Sequence, residues 1–554
     1  MREIDRRNAA IALLVLLGAG QALWGQADPS LVAGVVVDAG NGSPIRKAYV
    51  SLSTAEDNPA EALAITDSSG RFAFANVPPG RYQLHAQRDG YQQAWYGAPT
   101  PNHAPGVIPL HSGEIRQDFV LRMTLLGAIS GVVLDQDGDP LDGAMVSLWM
   151  PWFQRGKPGF AQRGSTVTND RGEYQITDVV PGRYLVMVNG TGRQAIRIHP
   201  ESVANSQPID QRFEPQYGVQ YFPAAERLSG ASLLTVAGKE IEGIDFHMVA
   251  RSPTILRGSV LSPSDVPPDM VIQVAGISQD VPDRTQFGFG TGAGPPKYEF
   301  ETGGVLPGEY LLVATASVGG RAYRGVQRAV VNAGAENQTT IKLEPGIDLA
   351  GSLKIEGGSK EQEPVVVLTP GDGLFYNNTP PQTHVKTDGS FVIPGVVPGI
   401  WDIGVQPIPE GGYVKSMRLG EQDVLTEDMV IRSDTTEPLH IVVSTRGGIL
   451  EGDVKADSGK EAGPANVLAA PDGKYSLVLS FYVVGNADEK GHFKLKGLTP
   501  GRYKLYAFET LEYCAWCDPD FLKPHASQGE PVQVIEDVNP PKEVRLIRNV
   551  RKQP

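Results

Sequence analysis

Thr66 to Leu84 reads TDSSGRFAFANVPPGRYQL, and altered copies of this stretch return four more times along the chain. TNDRGEYQITDVVPGRYLV begins at Thr168, KYEFETGGVLPGEYLLV at Lys297, TDGSFVIPGVVPGIWDI at Thr387 and ADEKGHFKLKGLTPGRYKL at Ala487. The shared pattern is a polar Gly turn, alternating buried-type residues led by an aromatic, Pro-Gly, and then Tyr or Trp opening a second alternating run. Period-two alternation marks half-buried strands, and the Gly and Pro-Gly elements supply turns. The stretch therefore predicts a β-hairpin.

The Pro-Gly glycines are Gly80, Gly182, Gly308, Gly399 and Gly501, so successive intervals are 102, 126, 91 and 102 residues. Solenoid repeats of roughly 20 to 50 residues cannot fold alone, whereas a period near a hundred residues predicts a string of whole domains. Each repeat also opens on a strand with a central glycine: Gly34, Gly131, Gly258, Gly351 and Gly452. These lie 46, 51, 50, 48 and 49 residues before the matching Pro-Gly glycine. Closing strands recur at Gln117–Leu121, Ile244–Met248, Thr339–Leu343, Leu439–Val443 and Val544–Ile547. The expected division is 28–124, 125–250 with loop insertions, 251–346, 347–446 and 447–554, behind a segment 1–27. Joints such as Arg122–Gly127 and Glu344–Gly346 are short, which predicts a semi-rigid rod or arc.

With 64 Gly and 44 Pro in 554 residues the composition is that of a turn-rich all-β protein. Net charge is −14, with no Lys/Arg cluster interleaved with aromatics, which excludes a phosphate-neutralising nucleic-acid surface. Arg2, Arg6 and Arg7 precede the apolar run Ala9–Gly20, and Gly25-Gln26-Ala27 offers small residues for cleavage. Residues 1–27 thus read as a secretory signal peptide. A retained membrane anchor is the alternative, although the run is short of the ~20 residues that span a bilayer. The expectation is an exported chain (periplasmic, cell-surface or secreted) with no transmembrane segment after cleavage.

Six or seven strands per hundred residues suit a two-sheet Greek-key sandwich. Gly34-Val-Val-Val-Asp38 with Pro44 and Ala48-Tyr-Val, followed by Thr66-Asp, Gly70-Arg-Phe, Val77 and Pro79-Gly80-Arg-Tyr82, resembles the carboxypeptidase regulatory-like domains. Gly131–Asp135, Pro140, Gly143-Ala144 and Thr168–Tyr184 match as closely, the fourth and fifth repeats less so, and the third least. The resemblance implies a transthyretin-like or prealbumin-like sandwich, shared with the B-type repeats of bacterial collagen adhesins and with carbohydrate-binding-like folds. It implies accessory, adhesive or binding roles and no chemistry of its own.

The chemistry-bearing motifs each meet a plainer reading. His111-Ser-Gly-Glu114 has the spacing of two zinc ligands, but the second repeat has Ala237-Gly-Lys-Glu240 there, so the element reads as a strand-entry turn. Asp135-Gln-Asp-Gly-Asp139 resembles half a calcium loop, yet Pro140 and Val146 stand where Gly and a bidentate acid belong. Lys354 and Lys455 lie on opening strands, where adhesin repeats carry a Lys–Asn isopeptide bond, but Leu439–Val443 has no Asn. Cys514-Ala-Trp-Cys517 reads first as a local disulfide in a loop, with redox or metal work as the alternative. No catalytic residue, metal or cofactor is expected.

The candidate binding surface is aromatic: Tyr91, Trp95 and Tyr96 in the first repeat, Trp149, Trp152, Tyr217, Tyr221 and Phe222 in the second, and Tyr513 and Trp516 in the fifth. Exposed flat rings with polar neighbours dock sugar faces or apolar side chains. The same rings could instead plug the ends of their own sandwiches. The leading expectation is a non-enzymatic scaffold with a protein partner outside the cytoplasm. The alternative is polysaccharide binding through these loops.

Overall fold

The computed structural model describes residues 30–548, apart from 56–60, 99–105, 155–156, 191–215, 264–271, 283–287, 294–297, 319–320, 358–362, 372–380 and single positions within 457–464, 489 and 510–519. Residues 1–27, read from sequence as a signal peptide, and Tyr513 lie outside the described residues. The described chain is strands joined by turns and short 3-10 elements, and none of its helices is long and apolar enough to cross a membrane.

One three-stranded frame recurs five times. The opening strands are Ser30–Asp38, Gly127–Leu134, Thr254–Leu261, Ile347–Glu356 and Gly448–Lys455. Each pairs antiparallel with the first strand of the Thr66-type motif and parallel with the closing strand. The register is the same throughout: Gly34 faces Phe72, Gly131 faces Tyr174, Gly258 faces Phe300, Gly351 faces Phe391 and Gly452 faces Phe493. A glycine opposite a ring lets the aromatic lie across the strand and the closing backbone approach it. The second sheet is built around the strand after Pro-Gly, as in Glu61–Ile65, Tyr49–Thr54 and Gly80–Gln87. Apolar side chains from the two sheets interdigitate between them. In the fifth repeat the sheets join at both edges and close on themselves.

The Thr66 motif is not a hairpin. Arg71–Val77 pairs with Ser30–Asp38, whereas Gly80–Gln87 pairs with Tyr49–Thr54, so Pro-Gly carries the chain from one sheet to the other. Four residues before each Pro-Gly glycine the backbone is left-handed, at Asn76, Asp178, Gly304, Gly395 and Gly497. The ladder register slips at the same place in all five repeats. This bulge bends the strand out of its sheet, and proline, lacking an N–H, cannot continue the ladder. The aromatic after Pro-Gly then fastens the corner. Tyr82, Tyr184 and Tyr310 donate their hydroxyls to the carbonyls of Pro78, Val180 and Leu306 at 2.9, 2.7 and 2.8 Å, and the Trp401 indole donates to Val397 O at 3.0 Å. The preceding polar turn is local: Gly70, Gly172, Gly389 and Gly491 donate to the carbonyl three residues back.

Separate apolar clusters fill the five frames. Buried tyrosines carry a pH consequence. Burial raises the pKa of Tyr174, Tyr221 and Tyr503 and pushes Tyr310 up to about 12. An unfolded tyrosine ionises near pH ~10, so the folded state binds its proton longer. The stability these groups contribute is fully present below that pH and is lost as pH rises through the folded value. Thermal melts are expected to hold steady up to about pH 9.5 and to fall steeply above about pH 10.5, with tyrosinate absorbance appearing in step with unfolding.

The joints are short, but the repeats do not form an open rod. Lys157 of the second repeat pairs with Asp428 of the fourth, and Arg183 lies 3.0 Å from Asp518 and 3.6 Å from Asp520 in the fifth. The loop-derived 3-10 element Ala515–Cys517 packs against the strand Met145–Gln154. Sequence neighbours also touch: Tyr221 donates to Asp280 O, Arg324 Nη1 to Pro398 O at 3.0 Å, and Tyr413 to Glu536 at 2.9 Å. Lys474 pairs with Asp423 at 2.9 Å.

Candidate functional site

The aromatic loops sit against the open faces of their own sheets. In the first repeat the short strand Ala94–Trp95 pairs with His85 and Ala86, which stacks the Trp95 indole on the His85 ring at a centroid distance of 4.2 Å. Burial lowers the His85 pKa, against the opposing pull of Glu61, so the imidazole under Trp95 is held towards its neutral form. Tyr96 meets Phe119 edge-on at 5.0 Å, and Tyr91 packs on the core beside Arg88. These three rings are half-buried.

In the second repeat Trp149 and Tyr221 are 1% and 0% exposed, which withdraws both from any ligand. They share an apolar cluster with Leu185 and Met187 on the outer face of the sheet, and the Trp149 indole donates to Ser147 Oγ at 2.8 Å. The sequence placed these rings in surface loops. Strand Met145–Gln154 instead runs through Trp149, and the outer face it lines is roofed by residues 219–231. Tyr217 packs over Gly190 and lies 3.5 Å from Asp135 Oδ2. Phe222 meets Phe246 edge-on at 6.4 Å. Trp152 is half-buried across from Gly159, where a Cβ would come within 2.5 Å of the indole.

In the fifth repeat Cys514 and Cys517 are joined in a disulfide. The loop they staple lays Trp516, Phe521 and Leu522 over a second apolar cluster that includes Tyr506 and Phe508. The fold therefore brings the aromatic surfaces of the second and fifth repeats together, through Ala515–Cys517 and Arg183, and leaves Trp95 apart. Trp95, Trp152 and Trp516 are the half-buried tryptophans among the described residues.

The remaining motifs close on themselves. His111 and Glu114 bond to each other, through the backbone N–H at 2.8 Å and the ring at 3.0 Å, which lowers the Glu114 pKa. Asp135 Oδ1 accepts from the N–H groups of Asp137 and Asp139 at 2.9 Å, as Asp38 does from Gly40 and Asn41. Both are Asx turns. Lys354 pairs with Glu356 at 3.2 Å. Among the described residues no three His, Cys, Asp or Glu side chains gather as metal ligands. Sequence reasoning missed Arg324, 2% exposed at the joint between the third and fourth repeats. The only linear signal is three arginines within Arg321–Arg328 of an acidic chain.

No curated protein sequence matches the chain. Among solved structures it is similar to the Bacillus anthracis TIE protein (13% identity, 57% of this chain and 50% of that chain, TM-score 0.17). It is also similar to GBS52, the minor pilin of Streptococcus agalactiae (12%, 43% and 99%, TM-score 0.20), and to BcpA, the major pilin subunit of Bacillus cereus (10%, 57% and 99%, TM-score 0.15). The chain spans about half the length of the first of these. A family model describing the carboxypeptidase regulatory-like domain matches residues 32–110 and 128–214, covering the opening strand, Gly turn and Pro-Gly corner of each. The chain is thus a tandem-repeat β-sandwich protein whose first two repeats match the carboxypeptidase regulatory-like domain.

Proposed function

We propose that the chain is an exported, non-enzymatic scaffold of five β-sandwich domains, divided at 124/125, 250/251, 346/347 and 446/447, that holds interaction loops at fixed spacing for a protein partner. The carrying observation is that repeats far apart in sequence are tied to one another, the second to the fourth through Lys157–Asp428 and to the fifth through Arg183 with Asp518 and Asp520. Each exposed pair contributes ~1 kcal/mol or less, so it is their combination with the apolar packing at Ala515–Cys517 that favours one arrangement over a flexible string.

Small-angle scattering tests this reading. The parent is expected to scatter as one compact particle, and Asp518→Lys with Asp520→Lys is expected to lengthen it while each domain stays folded. A parent that already scatters as a flexible chain would sink the fixed-spacing role. A second reading, polysaccharide binding, is favoured by the half-exposed Trp95 and Trp152. Retention of the parent on insoluble polysaccharide, lost in Trp95→Ala with Trp152→Ala, is its expected signature.

A further inference from the structure

The loop after strand Gly501–Phe508 of the fifth repeat does two things at once. It turns through Cys514, runs as the 3-10 element Ala515–Cys517 and packs Ala515, Trp516, Phe521 and Leu522 on the apolar cluster around Leu468, Tyr506 and Phe508. It also meets the second repeat. Ala515–Cys517 lies against Met145–Gln154, and Asp518 and Asp520 lie 3.0 and 3.6 Å from Arg183. All of these contacts to the second repeat come from the stretch between Cys514 and Asp520.

The bond between Cys514 and Cys517 closes the turn that makes them. Cys514 has φ 61°, in the left-handed region that a residue with a Cβ occupies only at a cost. The 3-10 element it opens is three residues long, with Cys517 N–H donating to Cys514 O at 2.9 Å and Asp518 N–H to Ala515 O at 3.2 Å. So short an element has little stability of its own. Cutting the covalent link returns chain freedom to the turn and lets Cys514 leave the left-handed region. Asp518 directly follows Cys517, so loosening the turn takes its carboxylate off Arg183. The docking responds to such a change, because exposed ion pairs contribute little and are screened by salt. The bond is also placed for exchange. Cys517 is 3% exposed and Cys514 only half-buried, so Cys514 Sγ is the sulfur that an incoming thiolate reaches.

We propose that Cys514–Cys517 is a redox latch. Oxidised, it holds the fifth repeat docked on the second; reduced by a dithiol, it lets the two part. One thiolate of the dithiol attacks Cys514 Sγ, and Cys517 leaves as a thiolate and takes up a proton. The second thiol of the reductant then displaces Cys514, so two electrons pass to the protein, both cysteines end as thiols and the reductant ends as a disulfide. The latch presupposes the fixed arrangement of repeats proposed above and supplies its control.

Small-angle scattering of the full chain, oxidised and after dithiothreitol, tests the latch. Cys514 and Cys517 are the only cysteines in the 554 residues, so the reductant acts at one place. Reduction, counted by thiol alkylation, is expected to lengthen the particle to the same extent as Asp518→Lys with Asp520→Lys. It is expected to speed chymotryptic cleavage at Phe521 and Leu522 several-fold, to leave the melting transition of the fifth repeat in place, and to reverse on reoxidation. Cys514→Ser with Cys517→Ser is expected to match the reduced parent. A pair that dithiothreitol leaves oxidised in the folded chain, or a reduced chain as compact as the oxidised one, would overturn the latch and leave the fixed arrangement standing. Loss of the fifth repeat's melting transition on reduction would make the bond a structural staple and overturn the latch as well. An oxidised chain that already scatters as a flexible string would sink the arrangement and the latch together.

Discussion

Gly131→Ala is expected to unfold the second repeat, at a cost of about 3 kcal/mol or more. A Cβ at Gly131 would fall on the Ile244 carbonyl oxygen and lie 2.6 Å from its carbon. A colliding side chain can rotate away, but here both parties are backbone, so relief requires moving the closing strand. That strand carries Phe246, which is 0% exposed, and moving it opens the core. The geometry recurs at Gly34, where the Cβ would lie 2.8 Å from Phe119 Cβ, and at Gly452, 2.9 Å from the Lys542 carbonyl carbon. Gly290→Ala is the matched control, because a Cβ there meets nothing within 4 Å. Its effect should stay within about 0.5 kcal/mol. Scanning calorimetry and limited proteolysis read the outcome. A second repeat that melts unchanged in Gly131→Ala would show that the closing strand adjusts freely, and would remove the reason for glycine at this position.

The opening glycines and their facing aromatics were legible because both are local patterns. Alternation says which residues point inward, and constant spacing says that the five copies share one frame. The partner of each strand was not legible. Arg71–Val77 and Gly80–Gln87 look like a hairpin because they are adjacent and separated by a turn, yet their hydrogen bonds go to different sheets. The positive φ at Asn76 is the physical cause, and nothing in Asn76 taken alone announces a bulge. The candidate site was legible only as residue types. Trp149 and Trp152 sit three positions apart on one strand, so they point to opposite faces of the sheet, Trp149 into the covered outer cluster and Trp152, half-buried, to the other side. Contacts such as Arg324 with Pro398, 74 residues apart, depend on how two folded repeats meet, which no local pattern encodes.

Tyr221→Ala tests the burial of that outer face, and its expected effect is loss of stability and not of a contact surface. The ring is 0% exposed, packed with Trp149, Leu185 and Met187, and its hydroxyl donates to the Asp280 carbonyl of the next repeat. Removing a buried aromatic of this size costs ~3–5 kcal/mol through lost transfer free energy and the cavity left behind. Tyr221→Phe keeps the ring and drops only the inter-repeat hydrogen bond, for which about 1 kcal/mol is expected. Trp95→Ala should cost less than Tyr221→Ala, since half-burial leaves less transfer free energy to lose. The order of melting temperatures is therefore Tyr221→Ala lowest, with Tyr221→Phe and Trp95→Ala above it. This order bears directly on any binding experiment. A variant that combines Trp95→Ala with Tyr221→Ala and loses retention on a matrix would report unfolding of the second repeat as readily as loss of a ligand contact. Trp95→Ala paired with Trp152→Ala avoids the confusion, because neither ring lies in the buried Trp149 cluster. A Tyr221→Ala protein that melted with the parent would mean that the outer face is open to solvent. The second repeat would then regain a fully aromatic surface for a ligand.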